Sequence, residues 1–418
     1  METATGSPPA VEHIRRAVQS RMPWGIKALQ RLISIDSISP NEYECQSALE
    51  DLLRSEGLGP TLVPLDDGSL KLVDGFIETG LPLDNRPNLV ATYGRGSPAA
   101  KSLILNAHID TVPWKDQLNK WDLHPLSGEV TDGKIFGRGS MDDKGSVVLG
   151  AMAILALRDL AYVPRGKVIL ESVVDEEPGG NGTLSLCAQG FTADAALNLE
   201  PTDNQVIYGH RGVIGVQYHV SGEARHASVG SDVPNAIAEA GLLASALDCA
   251  LEGWSDPSDM KYGQPSVNVG RIEGGDDIFT TPIECKIQYG IRYAPGTYEK
   301  ILEHIDRYLQ SNPPGGTDAS RRIERYIFAH YDAMEVEPSS EFVQTFLDTV
   351  REIEPDRGLG IFRACSDARH LVNRYKIPTV VFGPSQVGLA HGENEYLDLN
   401  QWQRAITEVA LFITRWCS

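Results

Sequence analysis

Two stretches of this sequence carry side chains that can do metal chemistry. The first reads Leu-Ile-Leu-Asn-Ala-His-Ile-Asp-Thr-Val-Pro over 103–113, and the second reads Phe-Gly-Arg-Gly-Ser-Met-Asp-Asp-Lys-Gly over 136–145. The apolar run 103–105 predicts a strand that delivers His108 and Asp110 at its C-terminal end. Residues two apart in a strand point to the same side, so the two share a face. A carboxylate so placed can hold a ligating histidine in one tautomer. Asp142 and Asp143 follow a Gly-Arg-Gly turn and precede a long apolar helix. Further on come Glu176 and Glu177 in Asp-Glu-Glu-Pro-Gly-Gly, Glu200 in Leu-Glu-Pro-Thr, and His391 in Gly-Leu-Ala-His-Gly. His108, Asp142, Glu177, Glu200 and His391 are ligand types suited to zinc, cobalt or manganese. Five such groups could hold two ions if one carboxylate bridges, with the ions roughly 3.5–4 Å apart. Each residue alone has a plainer reading: a histidine at a strand end is often a structural hydrogen-bonder, and an Asp pair after a glycine turn is often a helix cap.

The elements that must position these groups alternate in type. Helix is expected over 11–34, broken near Pro23, and again over 43–56. Strands are expected at 88–93, 102–106, 167–174 and 195–199, with helices at 145–160 and 183–189 between them. A strand–helix alternation of this kind argues for an α/β domain with a mainly parallel sheet, in which sites form at the C-terminal ends of strands. His108, Asp110, Glu176, Glu177 and Glu200 all fall at such ends. Asp132-Gly133 marks a hairpin between 128–130 and 134–136. Residues 212–335 change character, reading strand, helix, strand, strand, helix, strand. That is a βαββαβ pattern with an antiparallel sheet, flanked by α/β pattern on both sides. The expected organisation is therefore a catalytic domain from 1–211 and 336–418, interrupted by an inserted domain at 212–335. A helix is expected over 367–375 and a final one over 399–415.

Composition narrows the partners. With 37 basic and 57 acidic residues the net charge is −20, which argues against nucleic acid or an anionic membrane as partner. No stretch reaches 18 apolar residues, so no membrane span is expected. The N-terminal stretch lacks an apolar signal core, and the six scattered cysteines form no CxxC pair. Both point to reduced thiols and a cytoplasmic setting.

Taken in order, His-Ile-Asp-Thr-Val-Pro, Gly-Arg-Gly-Ser-Met-Asp-Asp-Lys-Gly, Asp-Glu-Glu-Pro-Gly-Gly, Leu-Glu-Pro-Thr and Gly-Leu-Ala-His-Gly-Glu-Asn-Glu-Tyr resemble the motifs of the dinuclear zinc amidohydrolases. That family includes acetylornithine deacetylase, succinyl-diaminopimelate desuccinylase, aminoacylase and carboxypeptidase G. The likeness runs from about residue 85 to the C-terminus. It implies an α/β catalytic domain with an inserted βαββαβ lid or dimerisation domain, and two divalent metal ions, zinc first, with cobalt or manganese as alternatives. By resemblance His108 and Glu200 bind one ion, Glu177 and His391 the other, and Asp142 bridges. Asp110 orients His108, and Glu176 is the general base. His226, in Arg-His-Ala-Ser, resembles the family histidine that stabilises the oxyanion from the lid. Arg292 resembles the arginine that holds a substrate carboxylate. Ser366 and Arg369, in Ala-Cys-Ser-Asp-Ala-Arg-His-Leu, resemble positions close to the substrate, although Ser366 or Asp367 reads equally well as a helix cap.

Three departures lie in the insert. Phe279 stands where the family has Asn, Gly290 where it has Asp, and Gly230 where it has Pro. The implied activity is hydrolysis of the amide of an N-acyl amino acid, as in acetylornithine deacetylase. A dipeptidase or carboxypeptidase of the same family stays open, as does a relative with non-hydrolytic amide chemistry. A homodimer through the inserted domain is implied by the same resemblance.

Overall fold

The computed structural model describes residues 8–66, 68–316 and 322–418; the side chains of 230–232, at the Gly230 departure, lie outside that set. Its contacts divide the chain into two compact units. The first comprises residues up to Gly209, Glu335–Phe362 and Ser366–Ser418. The second comprises His210–Met334 with Arg363–Cys365.

In the first unit, helices α1 (Val11–Ile33) and α2 (Tyr43–Ser55) precede strands β1 (Thr61–Val63), β2 (Asn88–Gly94) and β3 (Leu103–His108). A short hairpin follows, β4 (Val130–Thr131) and β5 (Lys134–Phe136), turned by Asp132 and Gly133 at positive φ. Then come α3 (Lys144–Asp159), β6 (Lys167–Val173), α4 (Asn181–Ala188), β7 (Ala195–Asn198) and β8 (Val206–His210). The centre of the sheet runs β6-β3-β7 and then Thr379–Val381, all parallel. β1 and β2 extend it antiparallel at one edge. β3 is buried at every residue, as expected of a parallel strand covered on both faces.

The expected break of the first helix at Pro23 does not occur, since α1 is continuous through it. The reason is the apolar stripe, which keeps its period across the proline: Ile14, Val18 and Met22 on one side, Gly25, Leu29 and Leu32 on the other are all buried. An interior proline costs about 3 kcal/mol, and burying that many apolar side chains, at roughly 1.5–3 kcal/mol each, outweighs it. Gly25 lets the helices approach closely, since a Cβ there would sit 2.9 Å from the Met152 sulfur and 3.1 Å from Trp402. α3 is buried from Lys144 to Leu157, so the helix behind Asp142 and Asp143 is part of the core.

The second unit runs β9 (Gly212–Ser221), α5 (Ala236–Glu252), a short α6 (Asp259–Tyr262), β10 (Ser266–Gly274), β11 (Glu284–Tyr293), α7 (Tyr298–Ser311) and β12 (Ile323–Tyr331). The sheet order is β10-β11-β9-β12, antiparallel throughout. Alternate residues of β9 and β11, such as Ile214, Val216, Ile287 and Tyr289, are buried with Leu243, Leu247, Ile301 and Ile305 of the helices.

The first unit closes with β13 (Met334–Glu335), α8 (Glu341–Arg351), β14 (Leu359–Phe362), β15 (Thr379–Val381), β16 (Tyr396–Asp398) and α9 (Leu399–Trp416). The helix expected at 367–375 is a short turn ending in a π-helical segment, His370–Arg374. No helix among the described residues is long and apolar enough to cross a membrane.

Candidate metal centre

Three adjacent parallel strands aim their C-terminal ends at one place. β3 ends on His108, β6 runs into Glu176 and Glu177, and β7 runs into Glu200. Two loops complete the set. The 137–143 loop brings Asp142, and the loop before β16 brings His391. β16 pairs with β5, aligning those loops.

Asp142 stands between two histidines. Its Oδ1 lies 3.1 Å from His108 Nε2 and its Oδ2 lies 3.5 Å from His391 Nε2. His391 Nε2 is also 3.1 Å from Glu177 Oε2. Donor atoms of His108, Asp142 and Glu177 lie mutually within 4.8 Å, as do those of His108, Asp143 and Glu200. Asp143, the neighbour of the expected ligand, is anchored differently: its Oδ2 accepts the His108 backbone amide at 3.1 Å. Asp143 is not among the five candidate ligands that the sequence singles out. The peptide bond between the two aspartates is cis.

Asp110 holds the supporting geometry. Its backbone carbonyl lies 3.0 Å from His108 Nδ1 and its carboxylate 3.6 Å from the same nitrogen. With Nδ1 donating there, Nε2 is left as the ligating atom. The Asp110 carboxylate also accepts the backbone amides of Glu176 at 3.2 Å and Glu177 at 3.1 Å. One residue therefore orients the first histidine through its carbonyl and fixes the start of the Glu176–Glu177 loop through its carboxylate.

Arg138 and Glu395 do the same for the other half. They form a buried ion pair at 2.7 Å. Arg138 also donates to the carbonyls of His391 at 3.3 Å and Gly392 at 3.0 Å. Glu395 Oε1 accepts the amides of Met141 and Asp142 at 3.1 and 3.3 Å.

The electrostatics of this cluster call for a cation. Burial alone would lower the His108 pKa, yet the Asp110 and Asp142 carboxylates outweigh it and hold it well above the ordinary histidine value. Burial pushes Glu176, Glu200 and Asp143 well above the usual carboxylate range, and Glu177 is raised for the same reason. Asp143 Oδ1 and Glu177 Oε1 are buried with no hydrogen-bond partner among the described residues. Buried polar atoms in that condition are costly. Divalent metal bound by His and carboxylate groups would satisfy them, so the residues fit such a metal, and Asp142 presents one oxygen toward each histidine.

The remaining sequence-singled residues fall elsewhere. Ser366 and Arg369 are buried in the first unit. Arg369 donates to the carbonyls of Ser366 at 3.0 Å and Gly179 at 2.9 Å. His226 and Arg292 belong to the second unit. His226 is exposed, with Nδ1 2.8 Å from Ser228 Oγ. Arg292 is exposed on β11, paired with Ser266 and Val213 on the face opposite α5 and α7. Gly290 shares that face, and Phe279 is 67% exposed.

Residues 104–415 match the family described as peptidase family M20/M25/M40. The chain is similar to an N-formyl-4-amino-5-aminomethyl-2-methylpyrimidine deformylase of Halalkalibacterium halodurans, 30% identical over 361 residues, covering 80% of this chain and 83% of that one. It is 28% identical over 392 residues to a probable carboxypeptidase of Aspergillus fumigatus, covering 90% and 82%. A solved dipeptidase from Saccharomyces cerevisiae superposes with a TM-score of 0.74 at 14% identity, over 98% of each chain; at that identity the likeness speaks for the fold alone.

Proposed function

The chain belongs to peptidase family M20/M25/M40 and is a metal-dependent amidohydrolase, and from that premise we propose that it hydrolyses the amide bond of an N-acyl amino acid. The observation that carries the reading is Asp142 set between His108 and His391, with the Glu176–Glu177 pair fixed beside it by Asp110. Two divalent ions, zinc first, held by His108, Asp142, Glu177, Glu200 and His391 would polarise the scissile carbonyl and acidify the attacking water.

The chain's own residues do the rest. Glu176, next to a ligand, takes a proton from the attacking water and returns it to the leaving amine. Asp110 keeps His108 in one tautomer and Glu176 in place. By the family resemblance, His226 is the oxyanion-stabilising residue and Arg292 the one that holds the substrate carboxylate with its planar fork. The substrate is a small molecule, the assembly a homodimer through the second unit, and the setting cytoplasmic.

The relative named a deformylase supports a small acyl group on an amine. Relatives named carboxypeptidases support a second reading, in which the substrate is a short peptide. The test is amine release from a panel of N-acyl amino acids and dipeptides, by metal-stripped protein and again after adding zinc, cobalt or manganese. Metal-restored release from acyl amino acids is the expected result. Faster release from dipeptides would move the assignment to the second reading. Silence across the panel from protein that holds two metal ions would overturn hydrolysis of either class.

A further inference from the structure

The Glu176–Glu177 loop is held at both ends, by Asp110 at the first and, at the far end, by Arg369, which the sequence placed near the substrate. Asp175 at φ 64° and Gly180 at φ 70° bound the loop, and the amides of Gly179 and Gly180 return to the Asp175 carbonyl at 3.2 and 2.6 Å. At its far end the Gly179 carbonyl accepts from Arg369 Nη2 at 2.9 Å. The same guanidinium donates through Nη1 to the Ser366 carbonyl at 3.0 Å and lies 3.4 Å from Asp367 Oδ1. Asp367 is fixed in turn. Its Oδ2 accepts from Thr183 Oγ1 at 2.7 Å, and Asn106 Nδ2 of β3 donates to Thr183 Oγ1 and to Glu171 Oε2 of β6, both at 3.0 Å.

We propose that Arg369, clamped by Asp367 over Gly180, is a positioning residue that sets Glu176 and Glu177 through the Gly179 carbonyl, and that it does not contact substrate. Two observations carry this. The Arg369 side chain is 2% exposed and that of Asp367 is fully buried, so the guanidinium offers no face to a substrate. And the fit over the loop is tight: a Cβ on Gly180 would lie 2.0 Å from Arg369 Nη2 and 2.4 Å from Asp367 Oδ1. The loop is thus held by opposite means, with a carboxylate taking its amides at one end and a guanidinium feeding its carbonyl at the other. Lysine cannot replace Arg369, because one ammonium on a flexible stem does not span two carbonyls in fixed directions.

The inference rests on the reading of Glu177 as a metal ligand, and the experiment separates the two. Zinc binding is measured by chelator competition, without substrate, on wild type, Glu177→Ala, Arg369→Lys and Gly180→Ala, each checked for folding by circular dichroism and urea denaturation. Supporting outer partners of metal ligands typically contribute about 10–100-fold in affinity. The clamp predicts a loss of that order at one of the two ions in both Arg369→Lys and Gly180→Ala, less than in Glu177→Ala. It also predicts that the Arg369→Lys and Gly180→Ala losses do not add in the double variant, because both break one contact. With metal saturating, kcat falls for Arg369→Lys while KM is unchanged, equally for carboxylate-bearing and uncharged amides. Wild-type affinity in Arg369→Lys, with KM raised only for carboxylate substrates, overturns the clamp and makes Arg369 a substrate contact. Unchanged affinity in Glu177→Ala overturns the ligand reading, and the clamp with it.

Discussion

Replacing Glu395 by Gln tests whether the buried Arg138–Glu395 pair assembles the second half of the centre. Both carboxylate oxygens accept: Oε2 from Arg138 Nη1 at 2.7 Å, and Oε1 from the Met141 and Asp142 amides at 3.1 and 3.3 Å. A glutamine must turn its NH2 toward a donor in either orientation. It therefore loses one set of bonds and leaves Arg138, 1% exposed, without its counter-charge. Removing one partner of a buried pair costs about 3–5 kcal/mol, a large share of an ordinary domain's stability. Because burial outweighs Arg138 and pushes the Glu395 pKa up to about 7, the comparison belongs at about pH 8.5, where the carboxylate is ionised. Urea unfolding of metal-stripped protein should show the loss. Chelator competition should show zinc affinity down by about 10–100-fold, since Asp142 and His391 are both tied to the pair. A stability change below about 1 kcal/mol with unaltered zinc affinity would refute the reasoning.

Glu176→Ala should keep its metal content by elemental analysis and lose turnover by about 10²–10⁴-fold; near-normal turnover removes Glu176 from the base role. Glu408 on α9 is fully buried, its oxygens have no hydrogen-bond partner among the described residues, and burial pushes its pKa from 4.5 up to about 8. Between those values the folded chain holds one proton more than the unfolded chain. Stability is therefore full below about 4.5 and is lost as pH rises toward about 8, by at most about 1.4 kcal/mol per pH unit. Urea midpoints across that window should fall less steeply in Glu408→Gln than in wild type, and equal slopes would remove Glu408 as the source.

The parallel sheet could be read in advance because short apolar runs such as 103–105 and 195–197 lead into polar groups and alternate with helical stretches. α1 could not: a local rule about proline lost to a stripe whose partners, Met152 and Trp402, lie far along the chain. Within the centre, His108, Asp142, Glu177 and His391 stood out because their motifs, taken in order, resemble those of the dinuclear zinc amidohydrolases. Asp143, Arg138 and Glu395 did not. Each is one charged residue among 94 (37 basic and 57 acidic), and only the fold shows that Arg138 faces Glu395 or that Asp143 receives the His108 amide. Arg369 carries the same lesson, since an arginine in a motif says nothing about whether its guanidinium meets solvent or two backbone carbonyls.

The pairing of β16 with β5 has a consequence for how the molecule is made. Strands β3, β6 and β7, with their acids, emerge from the ribosome well before His391, and the whole second unit is synthesised in between. Domains generally form in N-to-C order during synthesis. The first unit must therefore wait, with α3 lacking Trp402 to cover Gly145, until β16 and α9 arrive. A nascent chain at that stage presents His108, Asp142 and Glu200 but no His391. Tight capture of metal would then mark the moment at which the unit closes.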